Sequence, residues 1–293
     1  MKSTKIILFG ATGMVGSRIV ELFSEKLEIV SPSRLDVNLT SDNQIQKYLD
    51  KNRADYIVYA AGITRQDQAE EEKDLALKLN SQVPKLIAKI ASTKSTPLVY
   101  FSTDAVFDGN KSDSPYLEGD SVNPVNFYGV TKANGEDAVL SEHKNNLVLR
   151  LISVYSGKFE KKTDFVRRAL FNLNNNREVY GISDLYFNPT FVDSAAFALL
   201  ESMEKKVSGI LHIGSSDTIT NYEFMKLIVT TFKFRNDLLK PIKFKNFFKG
   251  HAAKRGQFTW LDTNKGQEIL GSKLFLTNKQ SIINFFNSYS KIK

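Results

Sequence analysis

The chain contains no cysteine. That absence removes disulfides, thiolate nucleophiles and cysteine-ligated metal, and it suits a reducing compartment, so a cytoplasmic location is expected. No window reaches 18 uninterrupted apolar residues, so no membrane-spanning helix and no membrane partner are expected. Histidine is scarce. His143, His212 and His251 stand apart, with no His-x-x-x-His and no carboxylate at ligand spacing, so no metal site is expected. His212, within the run Ile210–Ile213, reads as a core histidine. A Gly-x-Ser-x-Gly nucleophile elbow is also missing.

Acidic residues are missing from one stretch in particular. Between Leu238 and Leu261 there are none, against Lys240, Lys243, Lys245, Lys249, Lys254 and Arg255, and the whole chain carries a formal charge of +8. Phe244, Phe247 and Phe248 interleave with these cations, a pattern seen on nucleic-acid surfaces. No nucleic-acid motif accompanies it, so no nucleic-acid partner is expected. A solvated edge and a site for a small anionic ligand remain open.

What is present is ordinary globular composition, 42% apolar and 25% charged, over 293 residues, enough for about two lobes. Apolar runs at 5–9, 28–31, 56–60, 97–101 and 147–151 read as strands. Amphipathic stretches at 14–24, 44–51, 75–91 and 128–142 read as helices between them. That rhythm predicts βαβ units, hence an α/β fold of Rossmann type with a doubly wound parallel sheet. Residues 1–156 form the first domain in this reading, completed by about 190–213. Residues 157–293 form a smaller, interleaved mixed α/β lobe for substrate.

Gly10-Ala-Thr12-Gly13-Met14-Val15-Gly16 joins the first strand to the first helix. Glycines at that junction let the backbone approach a pyrophosphate, which the helix N-terminus attracts. The second strand then runs into Val30-Ser31-Pro32-Ser33-Arg34, where an acidic residue would have bonded a ribose 2′-hydroxyl. Hydroxyls and a guanidinium at that place favour NADP over NAD, with NAD still compatible.

Tyr128 and Lys132 lie four apart, on one helical face, and a neighbouring ammonium is expected to lower the phenol pKa for proton donation. Tyr222/Lys226 and Tyr289/Lys293 share the spacing but lie in the second lobe and the tail. Only Tyr128 follows a strand ending Ser102-Thr103-Asp104, where ligands of open parallel sheets bind, so Thr103 can bond the oxygen that Tyr128 protonates.

These motifs, with Ala60-Ala61-Gly62, Thr64-Arg-Gln-Asp67, Asn80, Pro189-Thr190-Phe-Val-Asp193 and Leu261-Asp262-Thr263, resemble the extended short-chain dehydrogenase/reductases. More narrowly they are similar to the dTDP-4-dehydrorhamnose reductase group, over nearly the whole chain. The resemblance implies Tyr128 as proton donor, Lys132 as its partner and ribose contact, and Thr103 and Asp104 at the substrate. It implies Gly10, Thr12, Gly13, Met14, Val15, Arg34, Asp36, Val37, Ala60, Ala61 and Gly62 along the cofactor.

The implied reaction is reduction of the C4 ketone of a nucleotide-linked 4-keto-6-deoxy sugar for surface polysaccharide synthesis. Arg255 is the candidate for the sugar-nucleotide diphosphate. Ser153 stands where the group carries a substrate-contacting tryptophan, and Arg255-Gly256 replaces its Arg-Pro, so the sugar pocket is altered. A related epimerase or dehydratase with retained NAD(P), and a non-catalytic nucleotide-binding subunit, stay open as alternatives. A homodimer is compatible with the resemblance.

Overall fold

The computed structural model describes residues 3–159 and 163–289. In its first half, strands β1 (Lys5–Phe9), β2 (Glu28–Val30), β3 (Tyr56–Tyr59), β4 (Leu98–Thr103) and β5 (Leu147–Leu151) alternate with helices. These helices are α1 (Met14–Phe23), α2 (Asp42–Lys51), α3 (Gln66–Glu71), α4 (Lys73–Leu77), α5 (Val83–Ser92) and α6 (Phe127–Glu142).

The second half adds α7 (Phe165–Asn174), β6 (Val179–Ile182), β7 (Tyr186–Phe187), α8 (Val192–Glu204), β8 (Gly209–Ile213) and β9 (Ile219–Thr220). It continues through α9 (Asn221–Thr231), β10 (Leu239–Ile242), α10 (Phe244–Phe247), α11 (Asn264–Leu270) and α12 (Asn278–Tyr289).

The main sheet has the order β2-β1-β3-β4-β5-β8, parallel throughout. Its strands are near-continuous apolar runs because both faces are covered. Ile6, Leu8, Val99 and Phe101 pack with Ile19, Ala195 and Leu199 of α1 and α8. Ile7, Tyr59, Leu98 and Tyr100 pack with Ile45 and Ile87 of α2 and α5. Strand order reverses between β1 and β3, and the crevice above that point is where such sheets hold nucleotides. β8 returns from the second half to close the sheet beside β5.

Outside the main sheet β6 pairs with β10 and β7 with β9. A further core gathers around Tyr155, with Phe165, Phe191, Phe224 and Phe285 as ring neighbours. Among the described residues no helix is long and apolar enough to cross a membrane.

The helix expected over 75–91 is not continuous. It passes through a π-helical turn at Lys78–Gln82, in which the Val83 N–H bonds the Lys78 carbonyl, before α5 begins. Pro84 explains part of the break, since it has no N–H to give the Asn80 carbonyl one α-turn back. The orphaned carbonyls are taken by tyrosines of the sheet. Tyr59 Oη donates to Leu79 O at 2.7 Å and Tyr100 Oη to Asn80 O at 2.6 Å.

Candidate active site

The glycine turn leaves β1 with Gly10 at φ +90°, where a Cβ would stand 2.6 Å from the Ala60 and Ala61 backbone. The turns after β1 and β3 therefore touch, and a side chain at Gly10 would separate them. Gly13 caps α1 without a side-chain hydrogen bond, and the first turn of α1 holds no acidic residue. Uncapped N–H groups and the positive end of the helix dipole suit a pyrophosphate, so the cradle fits a dinucleotide. Gly62 follows, and Asn80 grips the next residue through both backbone groups, Oδ1 to Ile63 N–H and Nδ2 to Ile63 O, each at 3.0 Å.

Beyond β2 the chain folds back on itself. The Asp36 carboxylate accepts from the Ser33 N–H at 2.8 Å and the Ser33 hydroxyl at 2.7 Å, which hold its pKa below the usual range. Val37 is buried, whereas Thr12, Ser31 and Arg34 are exposed.

Helix α6 starts at a crowded place. Asn126 Oδ1 caps it through the Gly129 N–H at 2.8 Å, and Glu70 takes the Phe127 N–H at 2.8 Å. Its buried face is Tyr128, Thr131, Lys132, Gly135, Glu136 and Val139, mostly polar. Thr103 ends β4 and meets this face, with a side-chain hydrogen bond to Tyr128. Thr103 Oγ1 also donates to Asp104 Oδ1 at 3.0 Å, and Thr259 donates to Asp104 Oδ2 at 2.6 Å. Tyr128, Thr103 and Asp104 thus stand together at the carboxyl end of β4.

The electrostatics differ from expectation. Burial pushes the Tyr128 phenol well above its ordinary value; the Thr103 hydrogen bond works against this and Asp104 adds to it. The Lys132 ammonium bonds the Phe101 carbonyl at 2.5 Å and lies 3.8 Å from the centre of the Tyr100 ring. Burial draws its pKa down to about 7, opposed by Glu136 one turn further along.

Arg255 also departs from the sequence reading. Its guanidinium bonds Asp67 at 3.0 Å and the Ala253 carbonyl at 2.7 Å, so its fork faces protein oxygens. Asp67 also takes the Ala253 N–H and pairs with His251, and Asn126 donates to Lys254 O at 2.9 Å. The basic stretch is thereby strapped across α3 and the start of α6. Lys240 and Lys243 pair with Glu178 and Asp184, while Lys245, Lys249 and Lys254 are exposed. Ser153 follows β5, exposed and with φ +43°.

Sequence reasoning passed over Tyr100, Glu136 and Thr259. Glu136 carried a signal, four residues beyond Lys132 on the same face. His212 is buried as expected, with Nδ1 at 3.1 Å from Asp262 O and Nε2 at 3.3 Å from Arg150.

A doubly wound parallel sheet, with its glycine turn at the switch point and a tyrosine–lysine helix after β4, defines an extended short-chain dehydrogenase/reductase. The model of the RmlD substrate binding domain matches residues 4–288, and the chain belongs to that family. The chain is 32% identical over 235 residues to a dTDP-4-dehydrorhamnose reductase of Shigella flexneri, covering 76% of each protein. The crystal structure of a dTDP-4-dehydrorhamnose reductase from Bacillus anthracis in complex with NADP superposes with a TM-score of 0.89 at 25% identity, covering 98% of this chain and 99% of that one. Methionine adenosyltransferase 2 subunit beta of Bos taurus is 28% identical over 253 residues, 81% of this chain and 75% of that protein.

Proposed function

We propose that the chain is an NADPH-using oxidoreductase that reduces the C4 ketone of a nucleotide-linked 4-keto-6-deoxy sugar, as its dTDP-4-dehydrorhamnose reductase relatives do by name. The observation that carries this reading is the meeting of Thr103, Tyr128 and Asp104 at the end of β4, with the Lys132 ammonium on the Phe101 carbonyl of the same strand. The cradle of Gly10, Gly13, Met14 and Val15 holds the pyrophosphate, and Ala60, Ala61 and Gly62 flank the cofactor. When bound, the nicotinamide supplies the hydride.

Tyr128 donates its proton to the C4 oxygen as negative charge grows there, and the Thr103 hydroxyl keeps that oxygen in place. Lys132 presents positive charge on the same side. Asp104 and Ser153 border the sugar. Arg255 reaches a diphosphate only by leaving Asp67. We place the protein in the cytoplasm and allow for a homodimer.

The test is NADPH oxidation against a panel of dTDP-, UDP- and GDP-linked keto-sugars. Stoichiometric oxidation with one of them is expected. Tyr128→Phe is expected to lower kcat by about 10²–10⁴-fold while the Kd for NADPH stays unchanged. The likeness to methionine adenosyltransferase 2 subunit beta favours a second reading, a nucleotide-binding subunit. Tight NADPH binding without turnover of any sugar would support that reading, and sugar conversion without net NADPH loss would support an epimerase or dehydratase.

A further inference from the structure

Lys132 is a buried cation whose seat is built mainly by other elements. The Tyr100 ring lies under the ammonium, at 3.8 Å from its centre. Tyr59 of β3 stacks behind that ring, with centroids 6.1 Å apart and planes 26° from parallel. The Tyr100 hydroxyl is tied to the Asn80 carbonyl, which Pro84 leaves without its helical donor. On α6, Gly135 makes room, since a Cβ there would stand 2.5 Å from Tyr100 Oη and 2.3 Å from Asn80 O. Strand, π-turn and helix therefore fix one aromatic plane.

We propose that Tyr100 is a positioning residue for Lys132, its ring face holding the ammonium charged and in place one turn along α6 from Tyr128. The proposal rests on the assignment of Lys132 to the Tyr128 pair. A cation over an aromatic face in a desolvated site is held by the ring quadrupole, and an aliphatic side chain there offers nothing in return. The hydroxyl has a separate task, satisfying the π-turn.

The other groups around Lys132 can be named element by element. On α6 they are Tyr128 one turn before and Glu136 one turn after, the latter paired with Arg150 of β5. β3 contributes Tyr59 behind Tyr100, and Asp104 follows β4. Glu70 of α3 and Lys73 of α4 act at Phe127, at the start of α6, and Lys85 and Lys89 of α5 are exposed.

The sign follows from the charge. Lys132 is needed as ammonium, so activity falls as pH rises through its pKa, and removing a contact that favours the cation moves that fall to lower pH. Tyr100→Leu is expected to shift the alkaline limb of kcat down by about 0.5–1.5 pH units, the worth of a desolvated cation–π contact. Tyr100→Phe keeps the face and is expected to leave the limb within about 0.3 units, while lowering Tm through the unbonded Asn80 carbonyl.

Should Tyr100→Leu fail to fold, Tyr100→Met asks the same question. A wild-type limb in the aliphatic variant would overturn the proposal, and so would an equal shift in Tyr100→Phe. The Kd for NADPH, measured by fluorescence across the same pH range, gives a second readout. If no sugar is turned over, the reductase reading fails, yet the pH midpoint of NADPH binding still moves in the aliphatic variant if the seat is as described. An unmoved midpoint there overturns the proposal on its own.

Discussion

Thr259 gives its hydroxyl to Asp104 at the end of β4, at 2.6 Å, and so fastens the loop after α10 to the strand end beside Tyr128, 155 residues away. Asp104 takes a second hydroxyl, that of Thr103, on its other oxygen. The carboxyl is half-buried, and desolvation pushes its pKa up to about 6, against the pull of those hydroxyls and of the local N–H groups.

That shift makes stability depend on pH in a stated direction. Asp104 binds its proton more tightly folded than unfolded, so its contribution is fully present below about pH 4 and is lost as pH rises through about 6. A shift of about two units corresponds to about 3 kcal/mol. Asp104→Asn, which cannot ionise, is expected to gain about 1–3 kcal/mol relative to wild type at pH 8 compared with pH 4. Urea denaturation of both proteins at the two pH values measures this. The same difference at both would show that Asp104 is not ionised against its surroundings.

The parallel sheet was legible because five of its strands are short, mainly apolar runs separated by helical periods, and strand boundaries fell within a few residues. The glycine turn and Tyr128 were legible for a related reason, since each is placed by the end of a strand. Pro84 marked the broken helix but weighs little within a long amphipathic pattern, and a π-turn depends on tyrosine donors 20 residues or more away. The strands of the second lobe are two to four residues long and lack a period to read. The buried polar face of α6 has no apolar stripe, so Glu136 had only its four-residue spacing from Lys132 to mark it, and nothing marked the pairing of Asp104 with Thr259 across 155 residues. The basic run around Arg255 was visible as charge, but not its capture by Asp67, because a spacing of 188 residues carries no sequence signal.

Arg34 is exposed beside a turn in which the Asp36 carboxylate is already taken up by Ser33. A guanidinium there is free to meet a ribose 2′-phosphate, and exposure to water limits what the contact is worth. Arg34→Ala is expected to raise the Kd for NADPH by about five- to tenfold and that for NADH by less than about twofold. Fluorescence titration with the two cofactors checks this. Equal losses would remove Arg34 from the choice between them.

Arg150 is the largest fully buried side chain, and its partner Glu136 is buried with it. The guanidinium reaches Glu136 from Nε at 3.0 Å and from a terminal nitrogen at 2.6 Å, and its plane lies 5.0 Å from the centre of the Phe107 ring. It also points a nitrogen at His212 Nε2, and burial together with that charge holds the imidazole pKa down to about 3, so the ring is neutral and donates from Nδ1 to Asp262 O. Such a pair gains little over well-packed apolar residues, but breaking it leaves one charge unmatched in the interior. Glu136→Gln is therefore expected to cost about 3–5 kcal/mol in urea denaturation, whereas Glu136→Leu combined with Arg150→Met loses much less than the two single changes added together. Additive losses would mean that the two side chains act independently, and that Glu136 is held by its packing in α6 alone.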